Sequence, residues 1–204
     1  MTDEFSPNDE VVWQKKWAES QIFETNLNPQ KPPFYCLEMY PYPSGKMHMG
    51  HVRNYSIGDA VARYKRMMGF DVLYPIGFDS FGMPAENAAI KEGMHPYDIT
   101  KKNMESITKQ IKRMGFSYDW RRIVMSHEPR YYKWNQWFFT KFLENGLAYR
   151  KYAPVNWCDL CETVLANEQV ANGRCWRCNG NVRQKNMSQW FLDTPKYAQQ
   201  LLDG

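Results

Sequence analysis

The chain has 204 residues, of which 43% are hydrophobic and 16% aromatic, and its formal net charge is +4. A chain of this length and apolar content can bury a core, and we expect one domain with a small appendage. No apolar run is long enough to cross a bilayer, and the acidic N-terminus lacks the basic and apolar regions of a signal or transit peptide. These features predict a cytoplasmic location without a membrane partner, where cysteines serve as ligands more often than in disulfides.

Positive charge is concentrated in the second half of the chain. Residues 1–100 hold nine Lys and Arg against thirteen Asp and Glu, a net charge of −4, whereas residues 101–204 hold seventeen against nine, a net charge of +8. The second half is therefore the better candidate for contact with a polyanion such as RNA. For any single cationic residue there, a solvated helix face is the alternative.

The first predicted element is an amphipathic helix that begins at Ser6 and Pro7. Serine followed by proline is a typical helix start. Apolar residues follow at helical spacing: Val11, Val12, Trp13, Trp17 and Ile22. We expect this helix to pack on the domain. Residues 26–33, rich in Asn and Pro, form the linker to the next element, so residues 1–33 are assigned to an N-terminal helix and linker.

A strand, a helix and a second strand are predicted next. Residues 34–40 form an apolar and aromatic run that predicts a buried strand, in which Cys36 is a small core residue. A helix is expected to begin near Gly50 or His51 and to end at Gly69, because apolar residues recur there at helical spacing. Residues 71–76 predict the second strand. This order is typical of one half of a dinucleotide-type fold.

The loop between the first strand and the helix has the sequence PYPSGKMHMGH, residues 41–51. A helix N-terminus presents unpaired N–H groups and a partial positive charge, which suit a phosphate. Gly45 and Gly50 let the backbone approach a ligand closely, and His48 and His51 fall beside the same helical turn. Imidazoles there can donate hydrogen bonds to a phosphate whose charge grows in a transition state.

Four further elements are predicted before the cysteines. They are a short helix at 84–91, an amphipathic crossover helix at 97–114, a loop and strand within 116–125, and a helix at 129–145 that ends at Gly146. The last helix is rich in aromatic residues, for which core packing is favoured and stacking on nucleotides is the alternative. Residues 182–185 and 188–192 predict two later strands, and Thr194 begins a final helix.

Four cysteines form two pairs with the spacing of a metal site. Cys158 and Cys161 are separated by two residues, as are Cys175 and Cys178, and thirteen residues lie between the pairs. Four thiolates can complete a closed tetrahedral shell, so we predict a structural zinc ion, with a redox pair or an iron–sulfur cluster as alternatives. The Asn-Gly dipeptides at 172–173 and 179–180 provide the tight turns that a zinc ribbon requires.

Two segments of the chain resemble the class I aminoacyl-tRNA synthetases. Residues 41–51 are similar to the family's HIGH signature, with Met49 in its variable second position. Residues 77–89, GFDSFGMPAENAA, resemble the leucyl branch, whereas isoleucyl enzymes usually carry a Cys-His-Gly variant at Ser80-Phe81-Gly82. The resemblance extends from about Trp13 to the C-terminus in bacterial-type order.

The resemblance implies a fold class and a division of the chain. The fold is α/β: the first half of a Rossmann-like nucleotide-binding fold with parallel strands, plus a small zinc-ribbon insertion. Residues 34–150 would form the first half of the catalytic domain and residues 151–187 the zinc ribbon. Residues 188–204 would be a return segment that stops before an editing domain.

The resemblance also implies roles for individual residues. His48 and His51 would be catalytic. The implied ATP-binding residues are Pro41, Ser44, Gly45, His48, Gly50 and His51, and the implied leucine-binding residues are Met39, Tyr40, Tyr42 and Asp79. Asp79 would hold the substrate's α-ammonium group, although a loop Asp is more often a turn former or helix cap. For Met39, Tyr40 and Tyr42, core packing at a strand end is the alternative.

The implied activity is that of a leucine–tRNA ligase. Leucine would be activated with ATP and Mg²⁺ to leucyl-adenylate and transferred to tRNA(Leu). The family pattern continues into an editing domain, a second half-fold with a Lys-Met-Ser-Lys-Ser loop and an anticodon-binding domain, which these residues do not include. The alternatives are a non-catalytic nucleotide- or RNA-binding fragment, a split subunit that needs the missing part in cis or as a second chain, and a valyl, isoleucyl or methionyl relative.

Overall fold

The structure, a computed structural model, describes residues 6–204. The chain divides into two compact units, of which the first ends at Tyr132 and the second comprises Lys133–Gly204. Each unit has its own sheet structure and its own buried cluster. Within the described part of the chain, no helix is both long and apolar enough to cross a bilayer.

Parallel strands organise the first unit. Strand β1 (Pro33–Tyr35) pairs in parallel with β2 (Asp71–Leu73), and β3 (Gly77–Phe78) pairs in parallel with β4 (Val124–Met125). The segments that carry β3 and β4 are already in contact before these strands begin, because the N–H of Asp119 donates to the Tyr74 carbonyl oxygen at 2.8 Å. The predicted α/β fold with parallel strands is confirmed.

The strands are shorter than the sequence predicts. Strand β1 ends at Tyr35, five residues before the predicted limit, and Tyr35 itself is 57% exposed. Among the described residues, β1 has β2 as its one partner and is an edge strand, and Pro41 and Pro43 beyond it have no N–H to donate. The predicted strand at 71–76 likewise forms only in its first half, as β2, and β3 begins beyond the predicted limit, after Pro75.

Four helices connect and flank these strands. Helix α1 spans Pro7–Ser20, α2 spans Met49–Met67, α3 spans Met83–Glu92 and α4 spans Pro96–Arg113. Helix α2 is the crossover between β1 and β2, and α3 and α4 together connect β3 to β4. All four begin and end within a few residues of the predicted limits, because capping residues and glycines mark their ends.

Helix α1 packs on the first unit only in part. Its N-cap Ser6 forms a capping box with Asp9, as the sequence indicates, but none of its residues is buried. Its contacts with α4 are polar: Arg113 pairs with Glu10 at 2.7 Å, and the Gln14 side chain donates to the Arg113 carbonyl oxygen at 2.9 Å. Polar bonds to α4 thus add to the partial apolar packing of α1.

The core of the first unit is apolar and aromatic. Its buried members lie on the strands or directly beside them, on the inner faces of α2 and α4, and in the loop after α4: Cys36, Tyr55, Ala62, Val72, Tyr74, Ile76, Phe78, Met104, Ile107, Ile111, Phe116 and Tyr118. Cys36 is a core residue, as predicted, and burial raises the pKa of its thiol. This cluster fixes the strands from whose ends the candidate site is built.

The second unit is organised by one long antiparallel ribbon. Strand β5 (Ala148–Cys158) pairs with β9 (Val182–Leu192) along its whole length, from Ala148 opposite Leu192 to Cys158 opposite Val182. Three short strands lie between them in the chain: β6 (Thr163–Leu165), β7 (Val170–Ala171) and β8 (Arg174–Cys175). The sequence analysis missed β5 and divided β9 into two strands, because Pro154 and the polar residues near Asn186 weaken the local strand pattern.

Two helices lie outside the ribbon. Helix α5 spans Pro129–Glu144 and begins in the first unit, and α6 spans Ala198–Asp203 after a 3₁₀ turn at Thr194–Tyr197. None of the aromatic residues of α5 is buried, so the core interpretation is wrong for this helix within the described residues. Phe139 packs edge-on against Trp190 of β9, with ring centroids 5.0 Å apart.

Candidate functional site

The two histidines of the 41–51 loop form the N-terminal turn of α2. His48 is the N-cap residue, and its Nδ1 accepts the N–H of Gly50 at 3.1 Å. The Nδ1 of His51 in turn accepts the N–H of His48 at 3.3 Å. The two rings stack with their centroids 3.9 Å apart, and Tyr55 stacks beyond His51 at 5.8 Å. This reciprocal capping brings both imidazoles to one helix end.

The capping bonds determine which ring nitrogen can serve a ligand. Because Nδ1 of each ring accepts a backbone N–H, the hydrogen of each neutral imidazole is assigned to Nε2. Burial, and secondarily the charge of His48, lower the pKa of His51. At neutral pH His51 therefore offers an uncharged Nε2–H donor.

Glycine at position 50 leaves room for the His48 ring. A Cβ atom on Gly50 would lie 2.9 Å from Cε1 of His48, closer than carbon atoms normally approach. Gly45 differs, because a Cβ atom there would meet nothing within 4 Å. Of the two glycines in the loop, only Gly50 is required by the packing of the described residues.

The rest of the loop is held in place by β3 and α4. The carbonyl oxygen of Pro41 accepts the N–H of Asp79 at 3.0 Å, and that of Pro43 accepts the side-chain amide of Asn103 at 2.9 Å. Ser44 and Lys46 are exposed between these anchored points. The loop is thus fixed at its base and open at its tip.

An open groove lies beside His48. Its volume is about 530 Å³, and Lys109 and Arg113 of α4 line it together with Met47 and Met49. Arg113 is paired with Glu10. Among residues 6–204, Lys109 forms no ion pair. The groove therefore has a cationic side next to the imidazoles, which favours an anionic ligand.

The predicted leucine-binding residues lie at the end of β1 and β3. Met39 is 81% exposed and Tyr42 is 50% exposed, so the core-packing alternative does not fit either residue. Tyr40 is half-buried, and a hydrogen bond with Tyr131, followed by burial, raises its pKa to about 12, with smaller effects from Asp79 and Tyr42. These residues therefore form an open surface with a polar side.

Asp79 follows β3 directly, at the carboxyl end of the parallel strands. It is half-buried, and Ser126 donates a hydrogen bond to its Oδ1 at 3.4 Å. Among residues 6–204, no Lys or Arg forms an ion pair with it. It is not a helix cap, because the N-cap residue of α3 is Gly82. Glu86, in the first turn of α3, is exposed and complements the helix dipole there.

Sequence reasoning missed a half-buried carboxylate next to the first strand. Glu38 accepts the hydroxyls of Tyr74 and Tyr118, each at 2.7 Å, and burial raises its pKa although both hydrogen bonds lower it. A Cβ atom on Gly58 of α2 would lie 1.5 Å from Oε1 of Glu38, so only glycine leaves this space. These two hydrogen bonds therefore fix Glu38, the residue before Met39, to the core.

Ser126 and His127 were also missed. Ser126 Oγ accepts the N–H of Ser80 at 2.8 Å, and His127 Nδ1 lies 2.6 Å from Ser80 Oγ. A usable signal existed, since both residues directly follow β4 and the ends of parallel strands meet at one sheet edge. The position of Asp79 at the carboxyl end of a parallel strand was used as a signal, but the same position of Ser126 and His127 was not.

The four predicted metal ligands converge in the second unit. The Sγ atoms of Cys158, Cys161, Cys175 and Cys178 all lie within 4.8 Å of one another. Two of these separations cross between the pairs: 3.4 Å from Cys158 to Cys178 and 4.0 Å from Cys161 to Cys175. Tetrahedral zinc with Zn–S bonds of about 2.3 Å requires sulfur separations of about 3.8 Å. The donor set and its spacing fit that geometry.

The pKa shifts of the cysteines in this cluster differ in sign: a hydrogen bond with Cys178, followed by burial, raises the pKa of Cys161 to about 12, whereas the pKa of Cys175 falls. Burial of Cys175 raises its pKa, but N–H donation from Cys178 and Arg177 and further contacts outweigh burial, and its pKa falls to about 7. The predicted tight turn at 172–173 is present, with φ of 53° at Asn172 and 72° at Gly173, and it joins β7 to β8. Left-handed φ values at both positions are typical of a two-residue hairpin turn. This hairpin carries Cys175 into the cluster.

Comparison with protein families assigns the chain to a class of enzymes. Residues 12–204 match the model of the family described as "tRNA synthetases class I (I, L, M and V)". The chain belongs to this family, and its N-terminal HMGH sequence and parallel-stranded fold agree with that assignment. The relatives identify a particular branch within it.

Those relatives are leucine–tRNA ligases. The chain is 59% identical over 193 residues to "Leucine--tRNA ligase" of Nitratidesulfovibrio vulgaris, which covers 95% of this chain and 23% of the relative. It is 55% identical over 205 residues to "Leucine--tRNA ligase subunit alpha" of Aquifex aeolicus, covering 100% of this chain and 32% of the relative. The chain thus spans about a quarter to a third of the length of these curated relatives.

Solved structures agree with this assignment. A ternary complex titled LeuRS-tRNA-LeuAMS from Agrobacterium radiobacter superimposes with a TM-score of 0.87 and 43% identity, over 95% of this chain and 25% of that chain. A methionyl-tRNA synthetase from Mycobacterium tuberculosis, in complex with methionyl-adenylate, superimposes with a TM-score of 0.68 at 20% identity, over 84% of this chain and 34% of that chain. The second likeness shows the fold alone.

Proposed function

We propose that this chain is the amino-acid-activating segment of a leucine–tRNA ligase. The carboxylate of leucine would attack the α-phosphate of ATP, forming leucyl-adenylate and releasing pyrophosphate. A terminal ribose hydroxyl of tRNA(Leu) would then take the leucyl group and release AMP. The identity to leucine–tRNA ligases over nearly the whole chain supports this choice over valyl, isoleucyl or methionyl activity.

The stacked imidazoles of His48 and His51 carry the proposal. Each ring has its Nδ1 engaged by the backbone, so each can direct an Nε2–H donor to phosphate oxygens whose charge grows as pyrophosphate departs. This is electrostatic catalysis without a covalent intermediate. The remaining residues proposed to bind ATP are Pro41, Ser44, Gly45 and Gly50. Mg²⁺ would accompany the phosphates of ATP.

Leucine would bind at the adjoining strand ends. The Asp79 carboxylate would accept hydrogen bonds from the α-ammonium group of leucine. No Lys or Arg among residues 6–204 forms an ion pair with Asp79, which supports that role. Met39, Tyr40 and Tyr42 would contact the aliphatic side chain, and their exposure leaves their faces accessible to a substrate. The substrate would itself complete the apolar surface there.

A zinc ion in the cysteine cluster would be structural. Four thiolates leave no coordination position for a substrate, so the ion would stabilise a zinc ribbon and take no part in the reaction. For residues 1–204 as a part of the longer enzyme, we propose the division 1–33, 34–150, 151–187 and 188–204.

A second candidate is that the chain works as part of a two-chain enzyme. The Aquifex aeolicus relative is named as a subunit alpha, which favours this possibility for a protein of this family. A chain that holds only half of the nucleotide-binding fold would then require the remainder as a second polypeptide.

Leucine-dependent ATP–pyrophosphate exchange tests the proposal. The chain is assayed alone and together with the rest of the enzyme, supplied in cis or as a second chain. We expect His48→Ala to reduce adenylate formation by about 100-fold, because one transition-state donor is lost, while leucine affinity stays within about twofold. Equal losses in catalysis and leucine binding would contradict the role of His48. Exchange with another amino acid but not leucine would contradict the proposed substrate.

A further inference from the structure

Four aspartates of the first unit are partly or fully buried: Asp59, Asp71, Asp79 and Asp119. Asp71 accepts hydrogen bonds from the Thr25 hydroxyl and, at 2.7 Å, from the N–H of Asn28. Asp59 pairs with Arg63 at 2.7 Å and accepts two hydrogen bonds from Ser117, both at 2.6 Å. Asp119 is buried and pairs with both Arg121 and Arg122. The carboxylates of Asp59 and Asp119 are thus neutralised within the fold, as buried charges generally are.

Asp79 has a different environment. The protein atom that hydrogen-bonds its carboxylate within residues 6–204 is the hydroxyl of Ser126, 3.4 Å from Oδ1. A carboxylate has two oxygens and about four acceptor positions, so most of the hydrogen-bonding capacity of Asp79 is left for a ligand. The hydroxyl of Ser126 is therefore placed to influence how that carboxylate is aimed.

The N–H of Ser80 restricts the direction of the Ser126 hydroxyl. Both serines are buried, with 6% of Ser126 and 5% of Ser80 exposed. Ser126 Oγ accepts the N–H of Ser80 at 2.8 Å, so the backbone donor occupies an acceptor position of this oxygen. A hydroxyl has a single proton to donate, and here that proton is directed to Asp79 Oδ1. Ser126 thus connects two consecutive residues of the loop after β3.

His127 holds the same loop from a second direction. Its Nδ1 lies 2.6 Å from Ser80 Oγ, and its backbone N–H donates to the same oxygen at 3.4 Å. Beyond the last ladder pair of the strands, the N–H of Ser126 donates to the Phe78 carbonyl oxygen at 3.2 Å. Consecutive residues after β4 therefore bind consecutive residues after β3, where the strands themselves have ended.

We propose that Ser126 and His127 are positioning residues that orient the Asp79 carboxylate toward the ammonium group of the amino-acid substrate. Ser126 acts on the carboxylate through its hydroxyl, and His127 fixes Ser80, to which Ser126 is bound. This inference rests on the proposed function, since it assigns the ammonium site to Asp79. Neither residue touches the substrate, and the chemistry remains with His48 and His51.

Replacement of Ser126 tests the proposal, with the complete enzyme as the material. We expect Ser126→Ala to raise the KM for leucine in ATP–pyrophosphate exchange about tenfold, while the KM for ATP stays within about twofold, because only the ammonium site is misaligned. Ser126→Thr retains the hydroxyl and should stay close to the parent enzyme. A parent-like leucine KM for Ser126→Ala, or an equal rise in both KM values, would overturn the proposal.

Ser117→Ala is the matched control. It removes another buried serine hydroxyl that donates to an aspartate, Asp59, away from the proposed leucine residues. This variant should lose stability and keep its KM for leucine. A rise in leucine KM as large as that of Ser126→Ala would show that general loosening of the fold explains both, and the positioning role would be wrong.

Two inhibitors separate positioning from a merely structural role. Leucinol retains the ammonium group of leucine, whereas 4-methylpentanoate has the same carbon skeleton without it. Ser126→Ala should weaken inhibition by leucinol about tenfold and leave inhibition by 4-methylpentanoate unchanged. Equal weakening of both would overturn the proposal. If the parent enzyme shows no leucine-dependent exchange, the proposed function is wrong and this inference falls with it.

Discussion

The two units of the molecule are stabilised by different means. The first unit buries a cluster of aromatic and aliphatic side chains on strands and helices that are distant in the chain. The buried cluster of the second unit has three members, Cys158, Leu165 and Cys175, and two of them are proposed metal ligands. Hydrophobic burial can hold the first unit, whereas the cysteine region has too few apolar contacts and should depend on its metal.

The difference teaches where each unit is sensitive to change. A packed core responds to changes in side-chain volume of a single methyl group, because interior atoms have little free space. A metal-stabilised region tolerates such changes better and loses its structure when a ligand is lost, since metal binding and folding are one process there. The following predictions test this contrast, from the largest expected effect to the smallest.

Loss of a metal ligand should have the largest effect. Chelation, or Cys158→Ser, removes a metal whose binding contributes about 10 kcal/mol or more in comparable small sites. Hydrogen exchange followed by mass spectrometry should then show loss of amide protection between Cys158 and Val182, while α2 and β2 keep theirs.

Cys36→Ser is the control for that experiment, because it alters a buried cysteine of the first unit that has no metal role. It should leave the metal content unchanged. A native protection pattern in the cysteine region after complete removal of the metal would contradict the proposed dependence.

Gly58→Ala should have the next largest effect. The new Cβ would lie 1.5 Å from Oε1 of Glu38, so the carboxylate must move and leave the hydroxyls of Tyr74 and Tyr118. We expect a loss of about 2 kcal/mol in the free energy of unfolding of the first unit, measured by urea denaturation, after allowance for the better helix propensity of alanine.

Gly45→Ala provides the comparison, since a Cβ there meets nothing within 4 Å, and its effect on unfolding should stay below about 0.5 kcal/mol. The double variant Glu38→Ala with Gly58→Ala removes the clash and should be less destabilised than the sum of the single changes. Strict additivity would show that the two residues do not interact.

Protonation of His51 should have the smallest effect. Burial and His48 lower its pKa below the ordinary value of 6.5, so the unfolded chain binds this proton more readily than the folded one. The stabilising contribution of the neutral ring is complete above pH 6.5 and is lost as the pH falls through the lowered value. Unfolding free energies measured from pH 8 to pH 5 should show this decline.

His51→Asn removes the titration and leaves a side-chain oxygen that can accept the N–H of His48. The decline attributable to this residue should be absent from the variant. A pH profile identical to that of the parent chain would mean that another group causes the decline.

Local signals in the sequence predicted much of the fold and part of the site. The limits of α2, α3 and α4 follow from caps and apolar periodicity within each helix, and the His48–His51 contact follows from a spacing of three at a helix start. The convergence of four cysteines was likewise predictable from two short spacings.

Local sequence patterns did not predict the features that depend on contacts between residues far apart in the chain. Strand β5 was missed because its pairing with β9 overrides a proline and several polar residues. The exposure of Met39 and Tyr42 was not predicted, because the elements that pack against the chain decide which of its sides is buried beyond a short strand. Periodicity over so few residues does not distinguish a buried face from an open one.

The amino-acid sequence by itself predicted the parallel α/β class from the order of its elements, the proximity of His48 and His51 from their spacing at a helix start, and the cysteine quartet from two Cys-x-x-Cys pairs. Only the tertiary structure decided that Ser126 and His127 support Asp79 and Ser80, and that Glu38 lies between Tyr74 and Tyr118 in space left by Gly58. The partners in the first set of bonds are 46 and 47 positions apart, and those of Glu38 are 36 and 80 positions away. Bonds over such separations form only after the strands have assembled, and no local pattern encodes them.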